Sequence, residues 1–441
     1  MKKILQISIG QCGNQIGAEH IKKIADEHGI NPDGTLVNPE ANINDRKDIF
    51  FSQSDDGKYI ARSILIDTEP AAVLNTLNSP YGSLYNQENV FIHAEGGGAA
   101  NTWSFGYEIA HDSYETIVEM VRRETEIMDS LDGFILTHSL NGGTGSGMGS
   151  YIMEKFTDDF PSAMKMNYAV FPNTKDDSDV VTQSYNSTLS LRRLCENSDG
   201  VVVLDNTALY RLANNKFTNP SIQVVNSLVS TVMAATTATI RFPSYTHNDM
   251  ASLLLPMTPT QRTHFFVTGY TPFSSSIQVV RKTSVIDVVN RLLETKNIMM
   301  SSPVTVGSYI NILNIIQGEV DPNEIEIARR QVVSNKNLHF APWNPAALNI
   351  VLSKKSPYVE TSHRVSGLML ANHTNVRALF QDSLKQCKKM FGRKMAFFDN
   401  FRKGFYQDKI EDDVRDSIAV VEQLIQEYAA ADTPEFFDFE G

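Results

Sequence analysis

A glycine-rich turn between an apolar run and a helix-like stretch constrains this chain more than any other feature. The turn reads NGGTGSG (141–147); it directly follows GFILTHS (133–139) and precedes MGSYIMEKF (148–156). Glycines there let backbone N–H groups approach an anion at a helix N-terminus, and the hydroxyls of Thr144 and Ser146 can donate hydrogen bonds. The turn therefore predicts an anion site, with a plain tight connection as the alternative reading.

Two further glycine-bearing turns, GQCGNQ (10–15) and EGGGAAN (95–101), have a similar setting. Loops that follow parallel strands share one crevice, so the three turns are expected to converge on a polyphosphate. Asp67 and Glu69 end another apolar run, and their carboxylates suit Mg²⁺, with a solvated loop as the alternative. Because the turns contain no Lys and match neither GxxxxGK[ST] nor GxGxxG, we expect backbone and metal to balance the phosphate charge.

Short apolar runs alternate with helix-like stretches in the first half, which is typical of an α/β fold with a mainly parallel sheet. We expect helices over 15–28 and 113–128, a buried connecting helix over 222–240, and helices after residue 374. The later apolar runs predict a second, smaller α/β unit. The runs interpreted as strands are 4–9, 63–69, 133–139, 167–172, 201–205, 264–270, 309–319, 347–355 and 367–373. The predicted units are 1–221, 222–240, 241–373 and 374–441.

Charge and cysteine content exclude several classes of protein. A net charge of −12 argues against a nucleic-acid partner held through its phosphates. Three widely spaced cysteines, Cys12, Cys195 and Cys387, fit neither a disulfide framework nor a zinc site, so we expect a reducing compartment. We find no signal-peptide pattern and no apolar stretch near the roughly 20 residues that span a bilayer, so no membrane partner is expected.

Two motifs, GQCGNQIG (10–17) and SLNGGTGSGMGS (139–150), lie about 130 residues apart and resemble the tubulin superfamily, in which such turns hold GTP. Longer segments are similar to those of gamma-tubulins, including LNSPYGSLYNQENVF (77–91), SDVVTQSYNSTLSLRRL (178–194) and SPYVETSHRVSGLMLANHT (356–374). The resemblance implies a tubulin-like α/β fold: a Rossmann-like parallel-sheet GTP-binding domain, a long central helix, a smaller second α/β domain, and a C-terminal helical hairpin with a short acidic tail.

The resemblance also implies the residues that hold GTP or GDP. Asn226 is expected on the guanine edge, and Glu69 and Asp67 near Mg²⁺. Cys12 is expected to be a pocket wall without a nucleophilic role. The nucleotide residues carried over from the family's motifs are Gln11, Cys12, Gln15, Ala99, Asn101, Ser139, Asn141, Gly142, Gly143, Thr144, Gly145, Ser146, Gly147, Asp179, Asn206, Ile222 and Asn226.

Three positions depart from the family pattern. Ile222 stands where tubulins usually stack an aromatic side chain on the guanine, so weaker affinity or base selectivity is expected. Ala100 adds a methyl group where gamma-tubulins mostly have glycine, in a turn that reads GAANT (98–102). Asn141 replaces a small residue, and its amide either contacts phosphate or caps the turn.

A gamma-tubulin resemblance implies a protein that nucleates microtubules by templating alpha/beta-tubulin at the minus end, through contact with alpha-tubulin. It also implies a ring held by gamma-complex proteins, with lateral contacts between copies. The expected location is the cytoplasmic cytoskeleton, at a microtubule-organising centre such as a centrosome or spindle pole body.

In tubulin polymers an acidic side chain in a loop of the second domain activates water in the neighbouring subunit. The corresponding position here, three residues after Asp249, is Ser252, which is a poor general base. We therefore expect no catalytic residue in this chain, slow GTP hydrolysis by the chain alone, and dependence on a glutamate from alpha-tubulin.

Two other classes stay open. A polymer-forming alpha/beta-type subunit is disfavoured by the short tail EFFDFEG (435–441), and a stand-alone GTPase is disfavoured by the missing base. Sedimentation with GTP tests the first, and turnover by the isolated protein tests the second. An FtsZ-like protein would lack the helical region expected after residue 374.

Overall fold

A computed structural model gives the architecture of most of the chain. It describes residues 2–38, 45–172, 182–216, 220–244, 246–273, 284–335, 338–345, 347–359, 363–392, 396–402 and 409–436.

Strands and helices alternate through the described ranges. The strands are β1 Lys2–Ile9, β2 Phe51–Gln53, β3 Tyr59–Ala61, β4 Ser63–Asp67, β5 Val90–Ile92, β6 Ser130–Ser139, β7 Met164–Phe171, β8 Gly200–Asp205, β9 Phe265–Thr271, β10 Tyr309–Gly318, β11 Leu348–Ser353 and β12 Val365–His373. The helices are α1 Gly10–Glu27, α2 Pro70–Leu77, α3 Trp103–Glu126, α4 Gly149–Asp159, α5 Gln183–Asn197, α6 Asn206–Lys216, α7 Ile222–Thr236, α8 Ala238–Arg241, α9 Met250–Leu254, α10 Val285–Leu292, α11 Pro322–Val333, α12 Arg377–Gly392 and α13 Ile410–Ala430.

One large sheet runs through the described part of the chain, in the order β11-β10-β12-β9-β8-β7-β6-β1-β4-β5. Its pairs are parallel except where β12 runs antiparallel to β10 and β9. Helices cover both faces, so the central strands are buried on both sides, and this explains their continuous apolar runs. The predicted α/β fold with a mainly parallel sheet is confirmed.

The later strands, which were predicted to form a second, smaller α/β unit, continue the hydrogen bonding of the first sheet. The connection is a short parallel ladder between β8 and β9, in which Val201 pairs with Phe265 and Val202 with Phe266. Beyond it, β12, β10 and β11 continue the hydrogen bonding.

Two helices begin earlier than predicted. Helix α1 was expected from residue 15, yet it starts at Gly10, whose φ of +74° turns the chain directly out of β1. Helix α3 was expected from residue 113 but starts at Trp103. The first turns of both helices bury small or polar residues, such as Asn14 and Ser104, instead of a regular apolar stripe, so periodicity did not reveal them.

The expected single helix over 222–240 is interrupted. Helix α7 ends at Thr236 and α8 starts at Ala238. The Thr236 and Thr237 hydroxyls donate to the carbonyls of Val232 and Met233, four residues earlier, and such bonds compete with regular helix geometry. The segment was also expected to be buried throughout, but Ile222 at its start is 57% exposed.

Helices α12 and α13 pack against each other and against α5, as expected for a C-terminal helical hairpin. Along the predicted stripe of α13, Val414, Val421 and Tyr428 are buried, while Ile418 and Ile425 are partly buried. Within the described ranges, no helix is both long and apolar enough to cross a bilayer.

Candidate nucleotide-binding site

The three glycine-bearing turns meet at the carboxyl end of the sheet and enclose a cavity of about 330 Å³. The start of α2 closes one side of it. Its lining residues are Ile9, Gly10, Gln11, Cys12, Asp67, Glu69, Ala71, Ala72, Gly97, Ala99, Ala100, Asn101, Ser139, Asn141, Gly142, Gly143, Thr144 and Gly145. The expected convergence of three turns is therefore present in the structure.

Close backbone packing explains the glycines of these turns. A Cβ on Gly10 would lie 3.0 Å from the Gly145 amide nitrogen, and a Cβ on Gly143 would lie 2.6 Å from the Ala99 carbonyl oxygen. Any side chain at either position would push the turns apart, so the cavity needs glycine there.

Helix geometry makes the cavity suitable for an anion. Helix α1 starts at Gly10, and a π-helical turn at Thr144–Met148 leads into α4. Both helix starts therefore present unpaired backbone N–H groups and the positive end of a helix dipole to the cavity. No Lys or Arg occurs among the described residues that line it, so these N–H groups are its main anion-binding feature.

The hydroxyls of the 141–147 turn have different surroundings. Thr144 lines the cavity, and its Oγ1 lies 2.6 Å from Thr68 Oγ1. Ser146 is fully buried, and its hydroxyl donates to the carbonyls of Gly142 and Gly143 instead of facing the cavity as predicted. Gly147 lies under the Trp103 carbonyl. Ser146 and Gly147 thus stabilise the turn through contacts with buried backbone groups and do not line the cavity.

Two carboxylates at the end of β4 differ in how they could serve a metal. Asp67 is 2% exposed; its Oδ1 accepts the N–H groups of Thr68 at 2.8 Å and Glu69 at 3.3 Å, and its Oδ2 accepts from Asn14 at 3.4 Å. Burial raises the pKa of the Asp67 carboxyl above its ordinary value. Glu69 is exposed at the cavity.

Mg²⁺ beside phosphates needs only one or two carboxylates, because water and phosphate oxygens complete its shell. Glu69 fits this requirement, with Asp67 behind it. A metal cage of three or more acidic, His or Cys side chains does not occur among the described residues.

A second cavity, of about 500 Å³, adjoins the first and shares Ala72 with it. Gln15, Ile222 and Asn226 line it, and Asn226 Nδ2 donates to Gln15 Oε1 at 3.4 Å. Ile222 and Asn226 were predicted at the base end of the nucleotide, and Gln15 was predicted among the nucleotide residues; the structure brings the three together.

Tyr81 and Tyr85 line this second cavity too, and sequence reasoning missed them. The signal lay in the segment SPYGSLY (79–85), which was used only for its resemblance.

Two predicted residues are placed differently. Asn206 starts α6 and is partly buried, but it lines neither cavity. Asp179 lies outside the described residues.

Cys12 lines the first cavity, as predicted for a pocket wall. Burial raises the pKa of its thiol to about 12. At neutral pH the group is therefore a protonated thiol, which is a poor nucleophile.

Sequence reasoning also missed Asn186, a fully buried residue of α5 that holds two of the turns. Its Nδ2 donates to the carbonyls of Asn101 and Asn141, each at 2.9 Å, and its Oδ1 accepts the N–H of Trp103 at 2.9 Å. The backbone of Asn141 is thus fixed by Asn186. The side-chain Oδ1 of Asn141 has no hydrogen-bond partner among the described residues. Asn186 lies in the segment 178–194, which was used only for its resemblance.

Comparison with known protein families is consistent with this geometry. Residues 3–214 match the model described as the GTPase domain of the Tubulin/FtsZ family. Residues 261–385 match the model described as the tubulin C-terminal domain. The two matches together span well over half of the chain.

Proposed function

Because the chain belongs to the tubulin superfamily, whose members bind GTP or GDP and interact with tubulin-like subunits, we propose that it is a gamma-tubulin that nucleates microtubules. GTP occupies the two adjoining cavities, with its phosphates among the three turns and its base beside Gln15 and Asn226. Glu69 holds Mg²⁺ at the phosphates. The bound metal would supply charge neutralisation there, while the turns position the phosphates.

Ser252 is the observation that carries the nucleator assignment. It lies in α9, at the position where alpha-tubulin has its glutamate, and it forms a capping box with Asp249. The Ser252 N–H donates to Asp249 Oδ1 at 2.8 Å, and its hydroxyl donates to the Asp249 carbonyl at 2.9 Å. The hydroxyl is thus committed to helix capping and, as an uncharged group, is a poor general base.

A subunit without that base cannot activate hydrolysis in a neighbour below it. Its own nucleotide lies at the opposite end, where an alpha-tubulin glutamate completes the site after assembly. Such a subunit belongs at the minus end of a polymer. This supports a ring template at a microtubule-organising centre, held by gamma-complex proteins and by lateral contacts between copies.

The test is the lag time of alpha/beta-tubulin polymerisation with this protein on its gamma-complex partners. We compare it with a Thr144→Val variant, which keeps the side-chain shape but loses the hydroxyl contact to Thr68. Thr157→Val is the matched control, because the Thr157 hydroxyl donates to the Met153 carbonyl within α4 and Thr157 lines neither cavity. The wild-type protein and Thr157→Val should shorten the lag, whereas Thr144→Val should not.

An unchanged lag with the wild-type protein would reject the nucleator function. Sedimentation of the chain alone with GTP would then support a polymer-forming subunit, and multiple turnover by the chain alone would support a stand-alone GTPase.

A further inference from the structure

The second cavity contains two polar side chains that the expected base contacts do not use, Glu19 and Tyr85. Glu19 lies four residues after Gln15 on α1, and side chains at this spacing are neighbours on one face of a helix. Both residues line the cavity. A base that lies beside Gln15 therefore has the Glu19 carboxylate one helical turn away.

The Glu19 carboxylate has unused capacity to accept hydrogen bonds. Its Oε2 lies 3.6 Å from Lys22 Nζ, and no hydrogen bond joins the carboxylate to another of the described residues. A carboxylate offers about four lone-pair sites to donors. Most of these sites are therefore available to a ligand in the cavity.

The Tyr85 hydroxyl is a buried donor without a partner. The side chain is 7% exposed, and its hydroxyl makes no hydrogen bond with the described residues. Burial, followed by the nearby charge of Glu19, raises the pKa of Tyr85, so the phenol keeps its proton at neutral pH. Because an unpaired buried polar group is costly, this site favours a ligand that offers an acceptor to the hydroxyl.

The edge of guanine that pairs with cytosine matches these two groups. It carries one acceptor, the O6 oxygen, beside two donors, the N1–H group and the N2 amine. The phenol can donate to O6 while the carboxylate accepts from N1–H and N2. Adenine instead presents the lone pair of its N1 and a C–H at position 2, so the carboxylate disfavours adenine.

The departure from the family pattern at Ile222 makes such edge contacts more important. Ile222 lines the same cavity, and an aliphatic side chain cannot stack on a base as an aromatic ring does. Asn226 offers a single amide, whose Nδ2 already donates to Gln15, and one amide cannot pair with all three groups of the guanine edge. Selection of the base therefore needs polar groups besides Asn226.

We propose that Glu19 selects guanine by accepting hydrogen bonds from N1–H and the N2 amine, and that the Tyr85 hydroxyl donates to O6. This inference rests on the GTP binding proposed above and assigns residues to its base. Hypoxanthine differs from guanine only by lacking the N2 amine. Inosine triphosphate (ITP), which carries hypoxanthine, therefore isolates the contact between Glu19 and N2.

Calorimetric titration of the nucleotide-free chain with GTP and with ITP, in Mg²⁺, tests the assignment. The wild-type chain should bind GTP about ten-fold more tightly than ITP, as expected for a hydrogen bond to a charged group. Equal affinity for the two nucleotides would overturn the role of Glu19 and leave the proposed function standing. Binding of neither nucleotide would overturn the GTP binding on which the inference rests.

The ratio of the two affinities separates base recognition from a structural role. Glu19→Ala should bind GTP and ITP with nearly equal affinity, whereas a general loss of structure would weaken both and keep their ratio. Glu119→Ala is the matched control and should keep the wild-type ratio, because Glu119 is an exposed residue of α3 that lines neither cavity. A wild-type ratio in Glu19→Ala would overturn the proposal.

Glu19→Gln tests the same contact by a gain of binding, which a loss of structure cannot produce. Xanthine has a carbonyl oxygen in place of the N2 amine, and the amide of Gln can donate to it. The variant should therefore bind xanthosine triphosphate (XTP) about ten-fold more tightly than the wild-type chain does. Unchanged XTP affinity would overturn the contact between Glu19 and N2.

Tyr85→Phe tests the contact with O6. It should weaken GTP and ITP equally, by about five-fold, because both bases carry O6. The nucleotide-free variant should unfold at the same or a higher temperature than the wild-type chain, since the removed hydroxyl has no partner among the described residues. Wild-type affinity of this variant for both nucleotides would overturn the role of Tyr85.

Discussion

The two turns on either side of Asn186 follow different rules for glycine. In the 141–147 turn, Gly143 has an ordinary helical φ of −73°, yet a Cβ there would lie 2.6 Å from backbone atoms of Ala99 and Thr102. In the 95–101 turn, Ala100 and Asn101 have φ values of +47° and +53°, which favour glycine, and both residues are exposed.

The difference shows that steric contact excludes a side chain at Gly143 although its backbone angle is ordinary, whereas positive φ alone does not exclude one at Ala100 and Asn101. Packing restricts the 141–147 turn at Gly143, Gly145 and Gly147, where an added Cβ would lie 2.8 Å or less from a backbone oxygen. The 95–101 turn is open to solvent and tolerates a Cβ, at the cost of backbone strain. The 141–147 turn is therefore the rigid part of the site. The 95–101 turn is the part whose conformation a ligand can most easily change.

The largest effect should come from adding a methyl group to the rigid turn. Gly143→Ala places a Cβ against the Ala99 carbonyl oxygen, which must move, so we expect about 3 kcal/mol of destabilisation and loss of measurable GTP binding. Gly97→Ala is the control, because a Cβ at Gly97 meets nothing within 4 Å. Thermal unfolding and GTP titration measure both. Equal tolerance of the two substitutions would contradict the comparison.

A smaller effect should come from the carboxylate that touches the open turn. A Cβ on Gly98 would lie 2.4 Å from Glu69 Oε1, so this carboxylate lies directly against the turn. Glu69→Gln should weaken GTP binding in Mg²⁺ about ten-fold, with little change in EDTA, because only the metal-bound state loses charge stabilisation. Asp55→Asn, an exposed acidic residue in a hairpin, should change neither affinity. Equal losses with and without Mg²⁺ would show that Glu69 does not hold the metal.

Relieving the strain of the open turn should give a modest gain in stability. Ala100→Gly should stabilise the protein by about 1 kcal/mol, because glycine adopts positive φ without steric cost. Ala99→Gly, at a buried neighbour without positive φ, should destabilise it instead. Thermal unfolding of the three proteins tests the difference in sign. A loss of stability in Ala100→Gly would mean that the left-handed backbone is not strained.

The last prediction concerns Cys12, in the 10–15 turn that lines the first cavity. Because burial raises the pKa of the Cys12 thiol to about 12, the thiolate is scarce at pH 8. Iodoacetamide should label Cys12 at less than about 1% of the rate of a free cysteine, whose pKa is near 8.5. The rate should rise with pH up to about 12. Peptide mass spectrometry measures it, and rapid labelling at neutral pH would show that the wall opens.

Much of the fold could be predicted because buried parallel strands leave continuous apolar runs such as GVVVLD (200–205). The starts of α1 and α3 could not, since their first turns bury glycine and polar residues, such as Asn14 and Ser104, that leave no regular apolar stripe. The break at Thr237 was also missed, because its cause is hydroxyl bonding to the backbone and not a change of hydrophobicity.

For the candidate site, turn chemistry predicted which backbone segments meet, since glycine spacing is a local signal. Side-chain direction was not predictable. Ser146 faces into the turn, and Asn186 contacts two distant loops, with sequence separations that no pattern encodes. The tyrosines of the second cavity reach it through a loop whose path depends on tertiary packing.

The narrow ladder between β8 and β9 has a mechanical consequence. The neighbouring ladders, β7 with β8 and β9 with β12, each align six residue pairs, whereas this one aligns two. Bending the sheet between β8 and β9 strains fewer hydrogen bonds than bending it at the neighbouring ladders. The sheet should therefore bend most easily at this ladder, between a part that ends at β8 and a part that begins at β9. An assembly built from such a subunit can change its curvature when the part from β9 to β12 tilts, while the three turns on the part that ends at β8 keep their spacing.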